Sequence, residues 1–244
     1  MSKTILVTGG SRGIGAEIAK QFAQSGYNVA INYNRSDDKA QALKNEISAN
    51  GGVAEIFKAD VSEYNTVKQM IENIYSTFGF IDVLVNNAGI SQQILFTEIT
   101  PEQWATMIST NLTSVYNCCN CVLPRMISEH KGCIINIASM WGETGGSCEV
   151  HYSSAKAGVI GLTKALAKEV GPSNIRVNCV SPGVVMTDMM SSFTQETLNA
   201  LTDETPLCKL GNSTDIANAV LFLADEKASF ITGQVLSVNG GILI

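Results

Sequence analysis

The chain has little histidine, little proline and no surplus of positive charge. Its 244 residues include two histidines, His130 and His151, and five prolines. Sixteen basic residues face 22 acidic ones, giving a formal net charge of −6. That balance leaves no basic footprint for nucleic acid or an anionic membrane surface. Long apolar runs are missing too. Candidates such as Ala219–Ala224 are core-sized, far short of the ~20 residues a bilayer-spanning helix needs. A strand-like run begins at Thr4, so the reading leaves no room for a signal peptide and places the protein in the cytoplasm. The seven cysteines are odd in number and fit a reducing compartment. Cys118 and Cys121 have a C-x-x-C spacing, but no second Cys or His pair accompanies them, and no metal is assigned. A content of 45% hydrophobic residues excludes a disordered chain, and the length suits one domain.

What is present is a regular alternation. Apolar runs of strand length occur at Ile5–Thr8, Val29–Asn32, Ala54–Lys58, Val83–Asn86, Ile134–Ala138, Arg176–Val180 and Val235–Val238. Amphipathic stretches separate them. Val67, Met70, Ile71, Ile74, Tyr75 and Phe78 follow three- and four-residue steps on one helical face. Thr100-Pro101-Glu102-Gln103 reads as a capping box with proline in the first turn, opening a helix expected over Trp104–Met126. Gly51-Gly52 ends another helix. Strand and helix repeated in this way predict an α/β domain: a doubly wound, seven-stranded parallel sheet with helices on both faces.

Thr8-Gly9-Gly10-Ser11-Arg12-Gly13-Ile14-Gly15 follows the first strand and opens the first helix. Glycines there permit a tight turn and let backbone N–H groups approach a pyrophosphate at the helix N-terminus. About 20 residues further on, a free ribose 2′-hydroxyl would call for an acid. The chain has Asn34-Arg35-Ser36 there instead. Arg35 and Ser36, with Arg12 from the glycine turn, suit a 2′-phosphate, because a guanidinium offers a planar fork to phosphate oxygens. NADP(H) is therefore the expected cofactor.

Tyr152 and Lys156 are four residues apart on one face of a helix expected over Tyr152–Val170. A neighbouring cation favours phenolate and is expected to lower the tyrosine pKa, which makes Tyr152 a candidate general acid for a carbonyl oxygen that receives a hydride.

Together with Thr8–Gly15, Asp60-Val61, Asn86-Asn87-Ala88-Gly89, Asn111, Ser139 and Pro182-Gly183, these residues make the chain resemble the short-chain dehydrogenase/reductase family over essentially its whole length. The nearest subgroup in pattern is the 3-oxoacyl-acyl-carrier-protein reductases, with the reductases of 5-aminopentanone on elongation factor P as a close relative. The resemblance implies a single Rossmann domain over residues 1–244 with a small substrate lid at about 184–206. It implies that Gly9, Ser11, Arg12, Gly13, Ile14 and Gly15 hold the pyrophosphate, and that Asn34, Arg35 and Ser36 hold the adenosine phosphate. Asp60 and Val61 would meet the adenine, Asn87, Ala88 and Gly89 the ribose, and Pro182, Gly183, Val185 and Thr187 the nicotinamide. In the same way it implies that Ser139 binds the substrate carbonyl, Tyr152 gives the proton and Lys156 binds the nicotinamide ribose. Asn111, through its backbone, would hold a water linking Lys156 to solvent.

The implied activity is NADPH-dependent reduction of a ketone, first among them a 3-oxoacyl thioester used in fatty acid biosynthesis. The alternatives are the elongation factor P aminoketone, a hydroxysteroid or sugar alcohol, and, from another class, an NADP sensor without turnover. Met140, Trp141, Glu149 and Met189 are the candidate substrate contacts, and Glu143 and His151 add polar groups nearby. Glu149 could receive a substrate ammonium. The regions where acyl-carrier-accepting relatives carry arginines read Glu129-His130-Lys131-Gly132 and Pro172-Ser173-Asn174-Ile175 here, with little positive charge. The expected partner is a small or carrier-bound carbonyl compound, with no nucleic acid and no membrane. The expected assembly is a homotetramer.

Overall fold

A computed structural model of the chain describes residues 2–187 and 193–244. Seven strands form one sheet: β1 (Thr4–Val7), β2 (Asn28–Tyr33), β3 (Val53–Lys58), β4 (Val83–Asn86), β5 (Gly132–Ile137), β6 (Ile175–Pro182) and β7 (Val235–Val238). All neighbours pair in parallel, in the order β3-β2-β1-β4-β5-β6-β7. The helices are α1 (Gly13–Gln24), α2 (Asp37–Ala49), α3 (Tyr64–Phe78), α4 (Pro101–Ile108), α5 (Ser114–Ser128), α6 (Met140–Thr144), α7 (Val150–Val170), α8 (Gln195–Glu204) and α9 (Ser213–Ala224). The sheet is thus the doubly wound one that the alternation predicts.

The strands are mostly apolar because both faces of the sheet are covered. Side chains alternate between two cores. Leu6, Leu84, Ile134 and Cys179 join the cluster under α3, α5 and α7. Ile5, Val7, Val83, Val85, Ile135 and Val180 join the one under α1 and α9. The period of two along each strand divides the layers.

Two features depart from a plain reading of the sequence. The helix expected over Trp104–Met126 is interrupted by a π-helical turn at Ser109–Thr113, which separates α4 from α5. The capping box at its start is present as expected: Gln103 N–H donates to Thr100 Oγ1 and Thr100 N–H donates to Gln103 Oε1. The strand order reverses at β1, with β2 and β3 on one side and β4 onward on the other. This switch point opens a crevice at the carboxyl ends of the strands, where open α/β sheets take their ligands. Among the described residues no helix is long and apolar enough to cross a membrane.

Candidate active site

The glycine turn sits at the carboxyl end of β1. Gly9 and Gly13 adopt φ of +59° and +54°, conformations that favour glycine. A side chain on Gly9 would lie 2.9 Å from Ala88 Cα, and one on Gly15 would lie 2.5 Å from both Asn87 Nδ2 and the Gly9 carbonyl. The turn is therefore pressed onto the loop that follows β4. Thr8 stitches the two together: its Oγ1 accepts from Asn87 N–H (3.0 Å) and Ala88 N–H (3.1 Å), while Asn87 Nδ2 donates to the Thr8 carbonyl (2.9 Å). Asn32 supports the turn from below, its Oδ1 accepting from Gly9 N–H and its Nδ2 donating to the Ala59 carbonyl.

Among the described residues, no side chain caps the first turn of α1. The Thr187 side chain lies 3.7 Å from where a Gly13 Cβ would stand, so the segment after β6 faces the glycine turn across the crevice. That segment is anchored by Val185, which is buried and bridges to Gly211. A cradle of backbone donors at a helix start, open where a Cβ would stand, fits a dinucleotide pyrophosphate.

In the glycine turn and after β2, Arg12 and Arg35 are exposed. Asn34 is tied to Asp60, its Nδ2 donating to Oδ2 at 2.8 Å, and Ser62 donates to Asp60 Oδ1 through both N–H and Oγ. Burial alone would raise the Asp60 pKa. The Ser62 donors, the Asn34 amide and the nearby Arg35 outweigh it and hold the carboxyl below its usual value. Asp37, the nearest acid in the first turn of α2, is occupied by Lys58 and by the Tyr33 hydroxyl.

The residues expected to be catalytic lie on the segment after β5, on α7 and in the π turn. Ser139 follows β5 as the N-cap of α6, its Oγ accepting from Trp141 N–H, and its hydroxyl is close enough to the Tyr152 phenol to favour the phenolate. Tyr152 and Lys156 occupy the first turns of α7. Lys156 Nζ donates to the Ile137 carbonyl at 2.8 Å and lies 5.7 Å from the Tyr152 ring centre.

Asn111 is fully buried in the π turn. Its Nδ2 takes the Met107 carbonyl (3.0 Å) and its Oδ1 accepts from Ile90 N–H (3.1 Å). A π turn shifts backbone bonding by one residue, and the Asn111 side chain occupies the carbonyl four residues back. Gly89 brings the parts together: a Cβ there would be 2.6 Å from Asn111 Oδ1 and 3.6 Å from Lys156 Nζ. Asn111 and Lys156 thus meet at Gly89, Lys156 lies beside the Tyr152 ring, and Ser139 acts on the Tyr152 phenol.

The expected lowering of the tyrosine pKa is not found in the chain by itself. Burial pushes Tyr152 up to about 12; the Ser139 hydroxyl offsets part of this, and the negative Glu149 adds to it. Burial also brings Lys156 down to about 8. The same desolvation that was to be countered by the cation weakens the cation.

Among the candidate substrate contacts, Met140 is buried and Trp141 half-buried, its ring covering Gly146. Glu149 is buried, with Ser91 Oγ and Gln93 Nε2 each 3.4 Å away, and burial raises its pKa. Met189 lies outside the described residues. Glu143 turns its carboxylate to Ser181 and Ser237. Cys118 and Cys121 are free thiols on α5, and burial raises both pKa values.

Sequence reasoning passed over a buried chain beneath the site. Asn86 Nδ2 donates to Asn136 Oδ1, and Asn136 Nδ2 donates to Thr163 Oγ1, both at 2.8 Å. The available signal was an asparagine inside each of two apolar strand runs.

A parallel sheet whose switch-point crevice holds a glycine turn on one side and a Ser-Tyr-Lys group on the other defines a nicotinamide-dependent oxidoreductase acting on carbonyl and hydroxyl groups. The chain belongs to the short-chain dehydrogenase/reductase family. A family model described as enoyl-(acyl carrier protein) reductase matches residues 9–243. The chain is 46% identical over 242 residues to the 3-oxoacyl-(acyl-carrier-protein) reductase FabG of Staphylococcus epidermidis, covering 99% of each chain. It is 45% identical to the proteins of the same name from Staphylococcus aureus and Chlamydia trachomatis, covering 99% of this chain and 98% of each relative.

Proposed function

We propose that the protein is an NADPH-dependent ketone reductase whose substrate is a 3-oxoacyl thioester. The observation that carries the reading is the Ser139 hydroxyl beside the Tyr152 phenol, with Lys156 and Asn111 meeting at Gly89. Two hydroxyls meeting at one point can donate to a single oxygen, which suits a ketone becoming an alkoxide. They suit an enoyl group less well, because its hydride-accepting carbon bears no oxygen.

When bound, the nicotinamide supplies the hydride. Ser139 donates to the ketone oxygen and holds it against Tyr152. A Tyr152 pKa of about 12 keeps the phenol protonated at neutral pH, as a general acid requires, and the developing alkoxide is basic enough to take that proton. Lys156 binds the nicotinamide ribose hydroxyls and, in its protonated form, stabilises the phenolate left behind. The backbone at Asn111, where the π turn displaces helical bonding, holds the water that returns a proton through Lys156.

Gly9 to Gly15 hold the pyrophosphate, and Asp60, Val61 and Asn87 to Gly89 line the adenosine half. Pro182, Gly183, Val185 and Thr187 face the nicotinamide. The choice of NADPH rests on exposed Arg12 and Arg35, on the absence of an acid at Asn34, and on the engagement of Asp37 by Lys58.

A second reading is favoured by Glu149. Among the described residues, this buried carboxyl three residues before Tyr152 has two neutral partners, each at 3.4 Å. The segments 90–106, 139–155 and 183–208 contain no lysine or arginine. That charge pattern suits a ketone bearing an ammonium, such as the aminoketone of elongation factor P, better than one on an acidic carrier.

Exposed Trp104, Tyr116 and Ile127 on α4 and α5, with Phe230 and Ile244 at the other end of the sheet, support a homotetramer. The test is NADPH oxidation with acetoacetyl, crotonyl and 5-amino-2-pentanone substrates, beside NADH and a Tyr152→Phe control. Turnover of acetoacetyl thioester that is lost in the control is expected. Turnover of crotonyl thioester alone overturns the ketone assignment, and a preference for the aminoketone selects the second reading. Tight NADPH binding with no turnover of any carbonyl compound returns the sensor.

A further inference from the structure

We propose that Glu143 is a positioning residue for the nicotinamide end of the cofactor site, an inference that rests on the nicotinamide-dependent reading above. Glu143 lies in α6, four residues after Ser139. Its Oε1 accepts from Ser181 Oγ at 2.5 Å and from Ser237 Oγ at 3.1 Å, and its Oε2 lies 3.3 Å from the same Ser237 hydroxyl. Ser181 and Ser237 are register partners on β6 and β7, so one carboxylate spans the carboxyl ends of both strands.

Ser181 is fully buried, and the next two residues are Pro182 and Gly183. Gly183 in turn donates to the Val238 carbonyl at 3.0 Å, and a Cβ on it would lie 2.7 Å from Asn239 Cα. The turn after β6 and the end of β7 therefore move as one plate, and Glu143 is bonded to both sides of it.

Helix α6 also bears on Ser139 and Lys156. Ser139 caps it, and a Cβ on Gly142 would stand 2.8 Å from the Lys156 backbone carbon. Helix α6 is a wedge between Ser139 and Lys156 in front and the Pro182–Gly183 turn behind. A carboxylate has only acceptors to offer, and two serine hydroxyls supply the donors. Charge-assisted hydrogen bonds of this kind are short and hold geometry well. Without the carboxylate the distance between the hydride-donating face and the Ser139–Tyr152 pair is set by backbone packing alone. Small misplacements there slow transfer steeply.

The test separates the two halves of the cofactor. The Kd of the full dinucleotide, read by nicotinamide fluorescence, is compared with the Kd of its adenosine half alone, 2′,5′-ADP, read by calorimetry. If wild type prefers NADH, then NADH and ADP are the pair. Glu143→Ala is expected to weaken dinucleotide binding about tenfold while 2′,5′-ADP binding stays within about twofold. Glu143→Gln keeps the Oε1 acceptor and is expected within about threefold of wild type. Ser181→Ala gives part of the loss, and adding it to Glu143→Ala gives no more, because both remove the same contact. Equal weakening of both ligands marks general loosening and overturns the proposal, as does unchanged dinucleotide binding in Glu143→Ala. A wild-type protein that gains nothing from the nicotinamide half overturns the functional reading itself, before any variant is compared.

Discussion

Replacing Lys156 by methionine should make the cofactor-free protein more stable at neutral pH, and the gain should fade as pH rises. Lys156 is 4% exposed, and burial lowers its pKa from 10.5 to about 8. At 1.36 kcal/mol per pKa unit, holding the lysine charged in the folded protein costs about 3 kcal/mol. The sign follows from proton counting. Between about pH 8 and 10.5 the unfolded chain carries the proton and the folded chain does not, so wild-type stability rises with pH through that window. The cost is therefore present in full below pH 8. Methionine has similar length and no charge, but it gives up the donation to the Ile137 carbonyl, worth about 1 kcal/mol. Lys156→Met should thus exceed wild type by about 2 kcal/mol at pH 7, and that lead should shrink by about 2 kcal/mol by pH 9.5. Urea unfolding of both proteins at equal concentration, from pH 6.5 to 9.5, reads the difference directly. Other titrating groups cancel between the two. A difference that does not change with pH, or a variant less stable than wild type at pH 7, refutes the reasoning.

Three further outcomes follow from the same contacts. Gly89→Ala drives a methyl group to 2.6 Å from Asn111 Oδ1, which is held on both sides and has nowhere to go. Urea midpoints should show a loss of about 2–3 kcal/mol, and kcat should fall more than tenfold because Lys156 Nζ shares the space. Arg35→Asp should lower kcat/KM for NADPH by about a hundredfold and leave that for NADH within about threefold, since only the former carries a 2′-phosphate. An equal loss for both would show that Arg35 does not read it. Asn136→Ala removes the acceptor of the Asn86 amide and the donor to Thr163 inside the protein. Calorimetry or denaturant melts should register a loss of about 2–3 kcal/mol, and an unchanged melt would mean that water replaces the side chain at no cost.

Much of the fold could be read along the chain because its sheet is buried on both faces. Leu6 and Leu84 turn to one core while their neighbours Ile5, Val7, Val83 and Val85 turn to the other, so strands such as β1 and β4 appear as apolar runs. Such runs are visible without any knowledge of pairing. The break at Ser109–Thr113 was not visible, because a π turn changes no residue type: Thr110, Leu112 and Thr113 continue the pattern of a helix. The turn coincides with a tertiary bond, the Ile90 amide donating to Asn111 Oδ1 from a loop 21 residues away.

The site divides along the same line. Ser139, Tyr152, Lys156 and the glycine turn stand in the sequence as residue types at fixed spacing, and the fold brings them together. Their electrostatics could not be read from spacing. A tyrosine and a lysine four apart on a helix suggest a lowered phenol pKa, yet whether the cation acts depends on how much water surrounds each group. Here both are enclosed, the phenol rises to about 12 and the ammonium falls to about 8. The consequence is chemical. The chain by itself holds the proton on the tyrosine, in the state a reductase needs before its hydride arrives. Polar contacts from the ribose hydroxyls to Lys156 would restore the charge that burial takes away. Under the proposed function, burial and ligand would act in opposite directions on one lysine, and only the residue's identity, not that balance, is written in the sequence.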